Sequence, residues 1–199
     1  MVLHELQQRV DRFSAEVRAA ARALSEGVRL VGEPRRGDPD FQDSYSWMLK
    51  QMAERNVPGP RDAMLWLYAA TTGRELRVNA RRARGEVMLS VRVPRRRVLI
   101  SDLADWHAVL NQYLHVPLLS GESEEAWEKR WVALDDDFTA RTEHCSSRPV
   151  AQWPEALRSE LETSWEAIFD PATWVAGRTL QATLRELRAE DVLRAVRIR

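Results

Sequence analysis

The stretch from Val93 to Asn111 has the highest density of side chains that could bind a ligand or take part in catalysis. Its short apolar run, Arg97 to Ile100, predicts a strand, and the residues after it predict a helix from Asp102 to about Leu114. Ser101 or Asp102 would cap that helix, because a side-chain oxygen there can accept hydrogen bonds from the free amides of the first turn. This strand-helix junction, residues 97–111, is therefore the first candidate for a pocket that binds a small polar ligand or carries out a reaction.

Eight side chains are candidates for ligand binding because each can hydrogen-bond or present a ring. They are Ser101, Asp102, Trp106, His107, Asn111, Trp165, Asp170 and Gln181. Ser101 and Asp102 would supply acceptors, and Asn111 both a donor and an acceptor. Trp106 or Trp165 would supply a stacking surface. Such a set is typical of a mostly apolar pocket with a few directing polar groups.

The spacing of His107 and Asn111 allows two interpretations. Four residues apart on a helix, they are neighbours on one strip of its surface. They would face a ligand in a functional pocket. In an ordinary helix, His107 would instead hydrogen-bond locally and Asn111 would serve as a packing amide.

Composition removes several classes of protein. The 199 residues carry 30 basic and 30 acidic side chains, so no overall field favours nucleic acid or an anionic membrane. The single cysteine excludes an internal disulfide and a cysteine-based zinc site, and Cys145 itself has no activating partner in the sequence. No signal-peptide pattern or membrane-length apolar run is present, so we expect a cytoplasmic protein.

Known catalytic motifs are also missing from the sequence. It has no glycine-rich phosphate loop, no HExxH helix, no serine nucleophile elbow and no paired-histidine metal spacing. We therefore assign no catalytic residue and expect no metal site. Whether the chain is an enzyme stays open at this stage.

Two oppositely charged segments allow a further alternative. Residues 74–97 hold nine arginines against two glutamates, and residues 122–137 hold seven acids against two bases. The basic segment could steer a phosphate-bearing ligand or RNA, or the two segments could neutralise each other within the fold or across a dimer. No nucleic-acid recognition motif or interleaved aromatic residues accompany the arginines, which argues against nucleic acid.

The remaining pattern predicts one α+β domain over residues 1–199, with a small mixed or antiparallel sheet packed by about five helices. The predicted helices cover 2–26, a segment from near Asp40, 102–114, 122–134 and a segment from Pro154, and the first of them could be an appendage. The predicted strands are 28–31, 63–70, 86–93, 97–100, 178–185 and 192–198. Asp135 to Asp137 would form a solvated turn and residues 138–152 an irregular loop.

The positions of two tryptophans allow a different kind of function, namely binding to another protein. Trp127 and Trp131 lie one turn apart on the helix predicted from Glu122 to Leu134. Packed against the body they would be core, and exposed together they would mark a protein interface. In the second case the chain would be a protein-interaction module, for example a component of a defence or toxin-antitoxin system.

Five sequence blocks carry a resemblance to a known family. They are Tyr45-Ser-Trp-Met-Leu-Lys-Gln-Met52, Val98-Leu-Ile-Ser-Asp102, Trp106-His-Ala-Val-Leu-Asn111, Ser164-Trp-Glu-Ala-Ile-Phe-Asp170 and Leu180-Gln-Ala-Thr183. Together they resemble the bacterial family catalogued as domain of unknown function 3841, from about Asp40 to the C-terminus. The resemblance implies a shared fold and pocket, and it transfers no catalytic role.

A narrower enzymatic alternative is similar to the ADP-ribosyltransferases. Small mixed folds of that class use a late strand with a glutamine- or glutamate-x-glutamate pattern beside bound NAD, and Gln181-Ala-Thr183 stands at a comparable place. This alternative would make NAD the cofactor. However, Thr183 occupies the position of the catalytic glutamate, and Glu186 falls on the other face of the strand because side chains alternate.

Overall fold

A computed structural model describes residues 29–70 and 87–198. The predicted helix 2–26 and residues 74–86 of the arginine-rich segment lie outside these residues. The described residues form four α-helices: α1 (Gln42–Glu54), α2 (Trp106–Leu110), α3 (Glu124–Thr142) and α4 (Glu155–Trp165). They also form seven strands: β1 (Leu30–Val31), β2 (Leu65–Ala70), β3 (Val87–Val91), β4 (Leu99–Asp102), β5 (Leu180–Leu184), β6 (Glu186–Leu187) and β7 (Val192–Arg197).

The strands form three small antiparallel sheets in the described part of the chain. The central sheet has the order β2-β5-β4, and two-stranded pairs join β1 to β6 and β3 to β7. The α+β class is thus as expected, whereas the strands form three small antiparallel sheets and not the single mixed or antiparallel sheet that was predicted. Four of the five predicted helices are represented, and the fifth is the one outside the described residues.

The strand β3 shows why alternation was a reliable signal. Val87, Leu89 and Val91 are half-buried, whereas Met88 and Ser90 are exposed. Successive side chains on a strand point to opposite faces, so the alternating sequence places one face against the protein and one in solvent. The register pairs Leu89 with Ala195 of β7.

The larger core fills the space between the helices and one face of the central sheet. Trp47 lies inside this core: its ring stacks on Phe169 at 5.6 Å and meets Trp165 edge-on at 5.4 Å. These partner rings come from the 3-10 helix Glu166–Phe169 and from α4, and they cover the side of α1 that carries Trp47. A smaller core covers the other face. Its buried members are Val98, Ala182, Leu184 and Leu187.

The strand-helix junction differs from its prediction. The strand starts at Leu99, because residues Arg95–Arg97 form a 3-10 turn after Pro94 and the Arg97 side chain turns inward. The helix covers only Trp106–Leu110, and it ends before Gln112, whose φ of 57° is left-handed. The capping prediction was wrong, because Asp105 occupies the N-cap position of α2 and its side chain makes no capping hydrogen bond. Asp102 Oδ1 instead accepts hydrogen bonds from the amides of Ala104 and Asp105, in the turn that precedes the helix.

The helix α3 runs eight residues beyond its predicted end at Leu134. The acidic triplet lies within it rather than in a turn, because Asp137 pairs with Arg141 one turn later and Phe138 is buried against Trp153. The predicted loop 138–152 is thus helical as far as Thr142. Just beyond it, the buried thiol of Cys145 donates to the carbonyl of Thr142.

No helix within residues 29–70 and 87–198 combines the length and hydropathy that crossing a membrane would require.

Candidate functional site

Ser101 and Asp102 are adjacent at the carboxyl end of β4, but their side chains point in opposite directions and make different contacts. Ser101 lies opposite Gln181 of β5, and the Gln181 amide donates to the Ser101 hydroxyl at 3.1 Å. Asp102, the next residue, has the opposite orientation on the strand and bends into the turn 103–105. Ser101 and Gln181 therefore satisfy each other in the interior, and Asp102 belongs to a different group of side chains.

That group has four members, named here the strand-end cluster: Asp102, Asp105, His115 and Arg178. The Arg178 guanidinium donates to Asp105 Oδ1 at 2.8 Å. The other Asp105 oxygen lies 3.7 Å from His115 Nε2, which is too long for a hydrogen bond. Side-chain exposure decreases inward through the cluster, from 40% for Arg178 to 14% for Asp105 and 7% for His115. Asp102 is fully buried.

Two buried polar atoms of this cluster have no hydrogen-bond partner in the described structure. They are Asp102 Oδ2 and His115 Nε2. Leaving a buried acceptor or donor unpaired costs free energy, and such an atom in a folded protein requires an explanation such as a bound water, ion or ligand. The same location thus has spare hydrogen-bonding capacity at two positions.

Electrostatics in the strand-end cluster follow from burial. Desolvation raises the pKa of Asp105 above its ordinary value, while His115 and Arg178 oppose that rise and Asp102 adds to it. Desolvation also lowers the pKa of His115, against the pull of both carboxylates. His115 is therefore a neutral imidazole at neutral pH, able to accept or donate one proton there.

Three backbone contacts position the cluster. The amide of Leu103 donates to the Thr179 carbonyl, which holds the turn after β4 against the start of β5. The amide of His115 donates to the Ser164 hydroxyl. The indole of Trp165 donates to the Tyr113 carbonyl at 2.7 Å, so the end of α4 fixes the segment that carries His115.

The helical pair His107 and Asn111 makes local hydrogen bonds. His107 Nδ1 lies 2.9 Å from the Leu103 carbonyl, and the Asn111 amide donates to the His107 carbonyl at 2.7 Å. Both side chains are exposed. These contacts agree with the local interpretation of the pair, and neither residue joins the strand-end cluster by any described contact.

The other predicted site residues are dispersed. Trp106 is buried against Trp66, with ring centroids 4.9 Å apart, and Trp165 is buried against Trp47. Asp170 is exposed and accepts the amide of Ala172 in a turn. Of the eight predicted residues, the structure brings together Ser101 with Gln181, and it assigns only Asp102 to the strand-end cluster.

An open groove of about 500 Å³ lies elsewhere, between the segment after α2 and the helix α3. Asn111 is the one predicted site residue on its wall. Other lining residues include Tyr113, Asp135, Asp136, Glu143 and Trp153. The groove and the strand-end cluster share no lining residue, so they are distinct features.

The strand predicted for the ADP-ribosyltransferase-like pattern is β5, the middle strand of the central sheet. The Thr183 hydroxyl is buried there without a described partner, and Thr183 pairs with Leu99 in the β4–β5 register. Glu186 follows on β6 and is held by the guanidinium groups of Arg29 and Arg188. Glu186 is thus already neutralised by two ion pairs, and NAD use stays a prediction.

The two tryptophans proposed for an interface stack on each other, with centroids 6.2 Å apart and planes 20° from parallel. Trp127 is half-buried and its indole donates to the Val116 carbonyl, whereas 38% of Trp131 is exposed. Trp127 therefore packs against the rest of the protein, and Trp131 lies at its surface. An interaction surface on α3 stays a prediction.

Sequence reasoning missed three of the four cluster residues, namely Asp105, His115 and Arg178. The capped turn Asp102-x-x-Asp105 was a readable signal, because a capping carboxylate brings the residue three positions later close to it. His115 and Arg178 gave no such signal, since they lie in irregular segments and reach the turn only through tertiary packing.

Metal ligation is not suggested by this arrangement. Across residues 29–70 and 87–198, no three histidine, cysteine, aspartate or glutamate side chains are placed to hold one ion. The strand-end cluster can instead hydrogen-bond a ligand through two carboxylates and an imidazole, and the imidazole can exchange a proton.

Comparison with known proteins gives one match. A model of the family described as Domain of unknown function (DUF3841) matches residues 35–193, most of the 199-residue chain. Neither a search of curated proteins nor a search of solved structures finds a similar protein. The extent of the family match agrees with the five blocks found from about Asp40 onward, and the chain belongs to the DUF3841 family.

Proposed function

We propose that this protein binds a small polar ligand at the strand-end cluster, where Asp102, Asp105 and His115 meet. The observation that carries the proposal is the pair of unpartnered buried atoms, Asp102 Oδ2 and His115 Nε2. A ligand that hydrogen-bonds to them would recover the free energy that they lose in the free protein. The site overlaps the junction expected from the sequence, residues 97–111, through Asp102 and Asp105, and His115 and Arg178 lie outside that range.

The chemistry available to such a ligand is acid-base. Burial lowers the pKa of His115 and so favours its neutral imidazole, and its Nε2 atom is unpartnered and therefore available to a bound group. The carboxylate of Asp105, 3.7 Å from that nitrogen, supplies a nearby negative charge that stabilises the protonated form when a proton is transferred. Proton transfer to or from a bound substrate is the reaction class this pair would support.

Binding is tested with a thermal-shift screen of small polar compounds on the full chain, since a ligand of the native state raises its melting temperature. The key variant is Asp102→Asn, which keeps the Oδ1 acceptor for the turn and replaces Oδ2 with an amide. A compound that stabilises the wild type should give no shift with this variant.

A matched control is Asp38→Asn. Asp38 also accepts a backbone amide, that of Asp40, at the start of a 3-10 helix and remote from the cluster. This variant should respond to the compound as the wild type does. Equal shifts in the wild type and Asp102→Asn, or a screen in which no compound raises the melting temperature, would refute the proposal.

A further inference from the structure

We infer that the ligand group recognised at the strand-end cluster is an organic cation with several N–H donors, a guanidinium or ammonium group, whose place Arg178 occupies in the free protein. The inference rests on the proposed function, because it names the ligand class of the same site. It is carried by charge, by the order of exposure and by the contacts of Arg178.

Charge favours a cation over an anion. Asp105 lies 3.7 Å from the imidazole of His115 and is paired with Arg178, and the carboxylate of Asp102 acts electrostatically on both Asp105 and His115. An anionic ligand would be placed against two like charges in a poorly solvated location, which is strongly unfavourable. A donor-rich cation in the place of Arg178 would find acceptors on Asp105, and Asp102 Oδ2 is a further unpartnered acceptor of the cluster.

Arg178 is the outermost member and the one most easily displaced. Its side chain is 40% exposed, and its one described hydrogen bond is the single Nη1 contact with Asp105 Oδ1. An ideal arginine-carboxylate pair is bidentate, so this contact uses only part of the guanidinium. A monodentate contact of this kind is weaker than a bidentate one. A ligand guanidinium could therefore replace it with an equal or stronger contact to Asp105.

Arg178 also has room to leave. The preceding residue, Gly177, has a left-handed φ of 83°, and a Cβ built there would meet no atom within 4 Å. The turn therefore borders open space at Gly177, and the Arg178 side chain is itself 40% exposed, so it can move outward into solvent. Inward of it, Asp105, His115 and Asp102 stay fixed by the turn and by the Ser164 contact.

The experiment uses isothermal titration calorimetry with methylguanidinium chloride on the full chain, at constant ionic strength. Methylurea, similar in shape but neutral, is the matched probe. We expect methylguanidinium to bind Arg178→Ala about tenfold more tightly than wild type, because an internal competitor no longer occupies the site. Asp105→Asn and Asp102→Asn, each combined with Arg178→Ala, should abolish binding, and methylurea should bind none of the variants.

The control for removing an arginine is Arg141→Ala. Arg141 is exposed to a similar degree and is also paired with carboxylates, those of Asp137 and Glu160 on the helical surface. Its removal should leave methylguanidinium affinity at the wild-type value. Circular dichroism and urea unfolding of each variant establish that the folded state persists before binding is compared.

Three results would overturn the inference: equal affinity of wild type and Arg178→Ala, binding of methylurea as tight as that of methylguanidinium, or retained binding in the aspartate variants. These are separable from failure of the proposed function. If neutral or anionic compounds from the thermal-shift screen bind in an Asp102-dependent way, the polar site stands and only the cation assignment fails. If no compound of any class binds wild type or Arg178→Ala, both fail.

Discussion

Arg97 and Asp191 form a bidentate ion pair in the interior, with Nη1 to Oδ1 at 2.7 Å and Nη2 to Oδ2 at 3.0 Å. Both side chains are at least nine-tenths buried. The guanidinium also donates to the Glu186 carbonyl, and Asp191 Oδ2 accepts the amide of Arg188. The pair thus ties the 3-10 turn before β4 to the segment between β6 and β7.

Breaking this pair should be costly. Arg97→Met leaves the Asp191 carboxylate buried without its counter-charge, and removing one partner of a buried pair typically lowers the free energy of unfolding by about 3–5 kcal/mol. Urea denaturation measures the loss. The control is Arg141→Met on the surface of α3, which should cost less than about 1 kcal/mol. Similar small losses in both variants would contradict a stabilising role for the buried pair.

Arg185 is expected to hold the segment from Val57 to Arg61 in place. Its buried guanidinium donates to the carbonyls of Val57, Pro60 and Arg61. Arg185→Met leaves these acceptors without donors, which should cost about 1–3 kcal/mol and speed amide hydrogen exchange over residues 57–64.

A second surface arginine supplies the comparison. Arg158 also donates to a carbonyl, that of Ala151, but at an exposed position. Arg158→Met should leave both stability and exchange nearly unchanged. If residues 57–64 exchange at the wild-type rate in Arg185→Met, another contact holds the segment.

His115 should make stability depend on pH. Burial lowers the pKa of its imidazole below the ordinary 6.5, so in acid the unfolded chain takes up a proton that the folded protein resists. The free energy of unfolding therefore falls as pH decreases through and below 6.5. Asp105 acts in the opposite sense, because its raised pKa lets the folded state bind the extra proton at pH values above 3.8.

The test compares urea unfolding of wild type and His115→Gln at about pH 7.5 and 5.5. The variant lacks the imidazole and should lose less stability on acidification than wild type does. All other residues are the same in the two proteins, so the difference between them isolates the contribution of His115. Parallel losses in the two proteins would show that His115 is protonated equally when folded and unfolded.

The tryptophans should differ sharply in their contribution to stability. Trp165 is buried, meets Trp47 edge-on and donates to the Tyr113 carbonyl, so Trp165→Ala should cost about 3–5 kcal/mol. Trp131 is partly exposed at the surface of α3, and Trp131→Ala should cost less than about 1 kcal/mol. Thermal unfolding of both variants measures the difference, and a loss with Trp131→Ala as large as that with Trp165→Ala would identify Trp131 as a core residue.

Local patterns predicted the parts of this fold that depend on neighbours in sequence. The alternation in Val87–Val91 and the helix after Pro154 each follow from a few adjacent residues. The length of α3 was underestimated because Asp135 to Asp137 suggest a turn, while burial of Phe138 decides the outcome.

The candidate site was less accessible from sequence, because long-range packing assembles it. Ser101 and Gln181 are 80 residues apart, and Arg178 is 73 residues from Asp105. Arg97 was predicted to start the strand, yet it lies in the 3-10 turn before β4, and its partner Asp191 lies 94 residues away. No spacing rule connects such pairs before the strands are placed.

The position of Cys145 makes its thiol an intrinsic reporter of local opening. Its thiol is the only one in the sequence, and it is fully buried beyond the last turn of α3, with its hydrogen on the Thr142 carbonyl. A thiol-specific dye can react only when a local or global opening exposes this sulfur. The labelling rate therefore counts openings at one known point, without any engineered probe.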